Sequence, residues 1–252
     1  MNSYPVHPYG IRVWIGYRHP DFLPIRQKFV RDLGNIFIPQ TVQQMGDLGL
    51  CAYFPMVLPD TDNLFPDEVA LVVYPSPAVY RSAKSDSVAG RAYAALHGPY
   101  FNFKSLDGIP RSKSAFPESW QGNLDIGTPY ALFGNSVDWH TGSTHVGVIK
   151  KPVMQATPIF IEDIKRSMAD VWDGKSSSNE CIVQVEESYA LIWEHVGEGD
   201  FSSYILDAVC DGVPTEDVIR SEATVTTVPS VFKAPDPGID PVEGSLMDVR
   251  VF

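Results

Sequence analysis

In the N-terminal half, the spacing of hydrophobic and polar positions predicts alternating strands and helices. Residues 11–18 are rich in β-branched and aromatic side chains and predict a strand. Over residues 21–34, apolar positions recur every three or four residues, which predicts an amphipathic helix. Two β-rich runs, 50–58 and 68–74, follow on either side of a Pro- and Asp-rich break, and residues 86–96 again show helical spacing.

A weakly alternating stretch, residues 130–139, is interpreted as the fourth strand of this first set. The same order then recurs as strand, helix, two strands, helix and closing strand, over residues 145–150, 157–174, 181–186, 189–195, 201–209 and 246–252. Each half therefore fits a βαββαβ unit, the split βαβ or ferredoxin-like arrangement. We predict an α+β protein with two ferredoxin-like halves, residues 1–141 and 142–252.

Two long segments rich in Gly, Pro and Ser or Thr interrupt this order, over residues 101–128 and 214–243. Segments of this length without regular structure are uncommon unless they serve a function. They are interpreted either as lids over a pocket or as surfaces for a binding partner.

The strand IRVWIGYR, the helix that begins at Asp21, and VALVVY followed by a helix and HGPYF resemble the dimeric α/β-barrel superfamily of the antibiotic-biosynthesis-monooxygenase type. The resemblance implies a tandem duplication whose halves pack as one α/β barrel, with a ligand cavity between sheet and helices. Members of the superfamily include cofactor-free monooxygenases of aromatic polyketides, muconolactone-type isomerases, and haem proteins such as chlorite dismutases and aldoxime dehydratases. Since the superfamily has no short signature motif, no catalytic residue is carried over by position.

The charge and composition of the chain disfavour some classes of binding partner. The chain has 31 acidic and 19 basic residues, a net charge of −12, and this balance disfavours nucleic acids and anionic membrane surfaces. No apolar run approaches the length of a membrane span, and residues 1–10 lack a signal-peptide pattern, so a cytoplasmic location is expected. A homo-oligomer is a separate expectation. The three cysteines lie far apart in the sequence and do not predict a disulfide framework or a zinc site.

The densest group of polar residues is the segment 138–145, where the two predicted halves meet. There His140 is the candidate general base and Asp138 its orienting partner, because imidazole titrates near neutral pH. His145, His97 and Tyr100 are candidate acids or anchoring groups. The alternative for the segment is an ordinary polar loop.

Two of these histidines have further interpretations. His97 closes a predicted helix, where it can cap the last carbonyls or serve as an axial haem ligand. The spacing of His140 and His145 matches no familiar zinc pattern, so no metal site is predicted.

The functional hypothesis is an enzyme that acts on a small, largely apolar organic substrate by acid/base chemistry in a cavity and needs no organic cofactor. A lyase, dehydratase, isomerase or cofactor-free monooxygenase fits this description. The chain lacks the Gly-rich nucleotide motifs, the serine-hydrolase elbow and the zinc-protease motif, which removes sequence support for those classes. The alternatives are a haem- or divalent-metal-dependent enzyme of the same fold, and a non-catalytic binding or scaffold protein.

Overall fold

The computed structural model describes residues 9–60, 65–104, 108–133, 138–139, 141–171, 179–197, 204–225, 243–247 and 249–250. These residues form two compact units. The first unit contains residues 9–116 and the described residues from 243 onwards. The second unit contains the described residues between 117 and 225.

The first unit has the predicted order of strands and helices, with the helices divided into more segments. Its strands are β1 (Gly10–Gly16), β2 (Ala52–Val57), β3 (Glu68–Tyr74) and β4 (Lys113–Ala115). Its helices are α1 (Arg26–Asp32), α2 (Ile38–Met45), α3 (Pro77–Asp86) and α4 (Val88–Tyr100), with a π-helical turn at Leu33–Phe37 and 3-10 turns at Pro20–Phe22 and Gly46–Leu48.

The second unit repeats this order and adds two strands in front of it. The strands are β5 (Glu118–Ser119), β6 (Pro129–Phe133), β7 (Gly142–Lys150), β8 (Asn179–Val185), β9 (Tyr189–Val196) and β10 (Val218–Val225). The helices are α5 (Thr157–Val171) and α6 (Tyr204–Cys210), with a 3-10 turn at Thr215–Asp217. The last strand of the chain, β11 (Val249–Arg250), belongs to the first unit.

Both sheets contain the strand order of a ferredoxin-like unit. The first sheet runs β11-β2-β3-β1-β4 and is antiparallel throughout, with Trp14 opposite Ala70 and Gly16 opposite Glu68. The second sheet runs β10-β7-β9-β8-β6-β5, in which only the pair β5 and β6 is parallel. The predicted α+β class and the repeated βαββαβ order are therefore present within each unit.

The outer strands connect the two halves of the chain in an unexpected way. Strand β6 follows the first unit's β4 along the sequence but pairs with β8 of the second sheet. Strand β11 follows β10 but pairs with β2 of the first sheet. The second sheet therefore gains β6 and its edge strand β5 from the first predicted half of the sequence, and the first sheet gains its edge strand β11 from the second half.

Two predicted strands were assigned to the wrong place. The fourth strand of the first unit is Lys113–Ala115 instead of residues 130–139, and the fourth strand of the second unit is Val218–Val225 instead of residues 246–252. Both true strands lie inside the segments interpreted as loops. The sequence of β4, Lys-Ser-Ala, has no β-propensity of its own, and its pairing with β1 determines its conformation. The division at residues 141 and 142 and the packing of the halves as a barrel stay predictions.

The helix pair α3 and α4 depends on one glycine. Ser87 ends α3 and caps α4, with its Oγ accepting a hydrogen bond from the Gly90 amide at 2.8 Å. A Cβ atom at Gly90 would lie 1.8 Å from the carbonyl oxygen of Ala83, so only glycine permits this close approach.

Among the described residues, no helix is both long and apolar enough to span a bilayer.

Candidate functional site

A cavity of about 450 Å³ lies within the first unit, between its sheet and its helices. Its volume is in the range of small-molecule sites. Seven aromatic side chains from strands, helices and loops line it: Trp14, Phe37, Tyr53, Tyr74, Tyr80, Tyr93 and Phe103. The polar residues of the wall include His97, Thr41 and four cations. A planar, largely apolar molecule fits such a lining.

Glu68 lies directly behind two of these aromatic residues. The carboxylate belongs to the first residue of β3, and the side chain is completely buried. Trp14 Nε1 donates a hydrogen bond to Glu68 Oε2 at 2.9 Å, and the Tyr53 hydroxyl donates to Oε1 at 2.8 Å. Because β1, β2 and β3 are neighbours in the sheet, strand alternation places these three side chains on the same helix-facing side.

Burial shifts the titration of this pair. Desolvation raises the pKa of Glu68 to about 7, and the hydrogen bonds from Tyr53 and Trp14 oppose the shift only in part. Burial and the nearby Glu68 carboxylate raise the pKa of the Tyr53 phenol well above its usual value. Near neutral pH, Glu68 is therefore present in both protonation states, while Tyr53 keeps its proton.

His97 projects from the last turn of α4 into an aromatic surround. Its ring meets Phe37, Tyr93 and Trp14 edge-on, with centroid distances of 4.9, 4.7 and 5.3 Å. Nδ1 lies 3.0 Å from the carbonyl oxygen of Tyr93, which can only accept, so in the neutral ring Nδ1 carries the proton and Nε2 the lone pair. Burial lowers the pKa of His97 to about 4, and the positive charge of Lys84 contributes to the shift.

The π-helical turn and α2 position a second polar pair. The Thr41 hydroxyl donates to the carbonyl oxygen of Phe37 at 2.9 Å and lies 2.8 Å from the Tyr93 hydroxyl. π-helical turns occur often at functional sites, where they displace one side chain from the regular helical path. Here the turn ends at Phe37, whose ring packs against His97.

The cations of the cavity wall are Arg12, Lys84, Arg111 and Lys113. Arg12 is fixed most firmly, because its Nε donates to Ser114 Oγ at 2.6 Å and its guanidinium stacks 4.5 Å from the ring centre of Tyr80. Burial lowers the pKa of Arg12 from its usual value, but a guanidinium stays charged at neutral pH. Lys84 and Arg111 are exposed at the cavity's edge.

Two predicted site residues, His97 and Tyr100, lie in the first unit. His97 lines the cavity. Tyr100 ends α4, is buried against Phe22 with the rings nearly parallel, and is not among the lining residues. The His97 ring bonds the carbonyl oxygen of Tyr93, one turn earlier in α4, and not one of the last carbonyls that a capping histidine would bond. Its assignment as an acid or anchoring group stays a prediction.

The other predicted residues belong to the second unit. The Asp138 side chain is exposed, and its carbonyl oxygen lies 3.1 Å from Nε2 of the buried His195. His145 is buried, with Nδ1 3.3 Å from Glu222, and burial lowers its pKa. His140 lies outside the described residues. The structure thus places Asp138 beside His195, whereas the assignment of His140 as a base stays a prediction.

Sequence reasoning missed Glu68, Tyr53 and Trp14 as a group. Trp14 was only part of the predicted strand over residues 11–18, and Glu68 only the first residue of the β-rich run 68–74. One signal was available: a carboxylate that begins the otherwise apolar run EVALVVY needs a partner if that strand is central. Within the described residues, no group of three or more His, Cys, Asp or Glu side chains is arranged to hold a metal ion.

No protein-family profile and no curated protein sequence matches this chain, whereas solved structures show a distant likeness to it. A candidate monooxygenase from Fusobacterium nucleatum is 12% identical, with a TM-score of 0.33 over 88% of this chain and 93% of that one. A candidate monooxygenase from Lactobacillus acidophilus is 9% identical, with a TM-score of 0.35 over 88% of this chain and 98% of that one. An anthrone oxidase-like protein is 6% identical, with a TM-score of 0.34 over 89% of this chain and 96% of that one. Identities and TM-scores this low carry no argument about function, so the cavity itself has to carry any functional assignment.

Proposed function

We propose that this protein is an enzyme that acts on a small, largely apolar molecule by acid/base chemistry in the cavity of the first unit. The observation that carries the proposal is the presence of a neutral imidazole, His97, in the same cavity wall as Tyr53, whose phenol is bonded to a carboxyl group that titrates near pH 7. Two groups with separated pKa values provide one base and one acid in a single site.

His97 is the base in this proposal. Its Nε2 lone pair is available at any pH above about 4, because Nδ1–H is held by the Tyr93 carbonyl. A base with so low a pKa is weak in the empty site. Negative charge that develops on a substrate beside the ring favours the imidazolium form and raises the pKa of His97 during the reaction.

The acid is Tyr53, supported by Glu68. When Glu68 is ionised, the Tyr53 hydroxyl donates to it. When Glu68 is protonated, its own O–H can donate to the Tyr53 oxygen, and the phenol proton is then free to turn towards a substrate oxygen. The apparent pKa of about 7 for Glu68 matches this switch to neutral pH.

The reaction class is proton removal from a carbon next to a carbonyl group, with Tyr53 bonding the carbonyl oxygen as it gains charge. Reprotonation at another carbon gives an isomerase, and loss of a leaving group gives a lyase or dehydratase. Attack of the carbanion on dioxygen gives a cofactor-free monooxygenase. None of these routes requires an organic cofactor or a metal ion.

The test uses anthrone, an aromatic ketone with an acidic methylene group, in deuterated buffer. The wild-type protein is expected to accelerate deuterium uptake at the methylene, measured by proton NMR under nitrogen. His97→Asn keeps an N–H donor for the Tyr93 carbonyl but has no basic nitrogen, and is expected to slow the exchange by about 100-fold or more. His19→Asn, a histidine substitution away from the cavity wall, is the matched control.

Repeating the assay in air then distinguishes the types of reaction. Conversion of anthrone and one dioxygen into anthraquinone and one water identifies the monooxygenase, whereas exchange without oxygen consumption identifies an isomerase or lyase. Wild-type exchange rates in His97→Asn, or no acceleration by the wild-type protein, would contradict the proposal.

A further inference from the structure

The charge of the cavity wall is opposite to that of the protein. The chain has a net charge of −12. Of the described residues that line the cavity, four are cationic and none is acidic, since Glu68 lies behind Tyr53 and Trp14. A concave site lined by one sign of charge, with low-dielectric aromatic walls, concentrates ligands of the other sign.

The contacts of these cations also leave them available to bind an anion. Arg12 lies against the rings of Tyr80 and Phe116, with centroid distances of 4.5 and 4.7 Å, and bonds Ser114. These contacts fix the guanidinium plane and leave N–H donors beyond those that Ser114 accepts. Within the described part of the chain, neither Arg12, Lys84 nor Arg111 forms an ion pair. A rigid, desolvated cation without a carboxylate partner is an expensive arrangement unless an anion occupies the site.

We infer that the substrate is an aromatic anion, an acid whose carboxylate or equivalent group is bound by Arg12, Lys84 and Arg111 while its rings occupy the aromatic part of the cavity. The inference rests on the proposed function, because it assigns the substrate class of the same site. Bound there, the anion also acts on the base. Lys84 is near enough to His97 to disfavour its protonated form, and an anion that neutralises Lys84 relieves this effect.

Binding of two matched probes tests the inference without turnover. 2-Naphthoate and 2-naphthamide have the same ring system and nearly the same shape, but only the first is charged. Isothermal titration calorimetry at low salt is expected to show naphthoate binding about tenfold or more tightly than naphthamide, as a charge-assisted hydrogen bond provides. Added salt is expected to reduce this preference.

Charge-removing variants locate the preference. Lys84→Gln/Arg111→Gln removes two exposed cations from the cavity's edge and is expected to abolish most of the preference while the naphthamide affinity stays unchanged. Lys165→Gln/Arg166→Gln on α5 of the second unit removes the same net charge from residues that do not line the cavity and is the control. Arg12→Gln removes the half-buried cation and is expected to reduce the preference for naphthoate as well, with a melting curve to check that the variant is folded.

The outcomes separate this inference from the proposed function. Equal affinity for both probes, or a preference that survives in Lys84→Gln/Arg111→Gln, overturns the anionic substrate and leaves the proton-exchange test of His97 standing. Binding of neither probe overturns it as well. Normal naphthoate preference together with wild-type exchange in His97→Asn would instead keep the substrate class and reject the acid/base function.

Discussion

Two buried glutamates illustrate how one topology serves different purposes. Glu68 lies on β3 and Glu194 on β9, the third strand of the βαββαβ order in each unit, and both are 0% exposed. Glu194 accepts hydrogen bonds from the backbone amides of Ile205 and Leu206 at the start of α6, and from Asn179. Glu68 is bonded by Trp14 and Tyr53, which line the cavity. One carboxylate fastens a helix, and the other is linked to a ligand site.

The donors explain the difference. Backbone amides are fixed donors, so Glu194 satisfies them only as an acceptor. The Tyr53 hydroxyl can either donate or accept, so the Glu68 pair has two stable arrangements that differ by the position of one proton. Burial raises the pKa of both carboxyl groups, but the hydrogen-bonded contact has one arrangement of donors in the second unit and two in the first.

Space between sheet and helices differs as well. In the second unit, Leu206 of α6 packs directly on the sheet at Gly147, where an added Cβ would lie 2.3 Å from Leu206 Cδ1. Around it, Ile149, Ile192 and Ile205 belong to one buried apolar cluster. In the first unit, the space between β1–β3 and α4 holds the cavity.

The largest effect on stability is expected from removing the carboxylate of Glu194, which holds the start of α6. Glu194→Ala leaves two buried amides and Asn179 without their acceptor, and is expected to lower the free energy of unfolding by about 3 kcal/mol. Glu194→Gln keeps one acceptor oxygen and is expected to cost less than half as much. Urea unfolding at pH 7, followed by circular dichroism, measures both. If Glu194→Ala were as stable as the wild type, the carboxylate would not be what holds α6.

In contrast to Glu194→Ala, Glu68→Gln is expected to raise the free energy of unfolding. The folded pKa of about 7 lies above the usual 4.5, so as the pH rises between these values the unfolded chain releases a proton that the folded protein retains. Stability is therefore lost as the pH rises, and a glutamine, which does not ionise, prevents that loss. It can still accept from Trp14 and donate to Tyr53.

We expect Glu68→Gln to stabilise the protein by about 1–3 kcal/mol at pH 8 and by little at pH 4. In the deuterium-exchange assay, Glu68→Gln should also remove the change of the exchange rate with pH near pH 7. A variant destabilised at pH 8 would show that Glu68, like Glu194, has a purely structural role.

The sequence predicted well those features that depend on local pattern. Strand β3 has the predicted bounds because EVALVVY is an unbroken β-rich run between Pro-containing breaks. His97 was a candidate because it closes a predicted helix, where an imidazole can bond the last carbonyls or a ligand. These signals involve residues that are close together in the chain, where propensity and spacing are informative.

The features of the fold and of the site that the sequence did not predict depend on contacts between residues that are far apart in the chain. Trp14 and Glu68 are 54 residues apart, and their hydrogen bond leaves no periodic signal. The Arg12 contact with Ser114 spans 102 residues and involves β4, whose three residues have no strand pattern. Strands β6 and β11 pair outside their own half, so the order of elements could not assign them. A pattern of single residues cannot supply such pairings.

The smallest stability effect, and the most direct test of the difference in space, comes from adding volume to each unit. Ala94 on α4 lines the cavity, and Ala94→Leu places a good helix former where open space exists, so its free energy of unfolding is expected to change by less than about 0.5 kcal/mol. Gly147→Ala adds a single carbon against Leu206 and is expected to cost about 1–2 kcal/mol. The larger addition should therefore cost less, while only Ala94→Leu weakens the binding of 2-naphthoate. If Ala94→Leu cost more than Gly147→Ala, the first unit would be as tightly packed as the second, and the cavity would lose its standing as a ligand site.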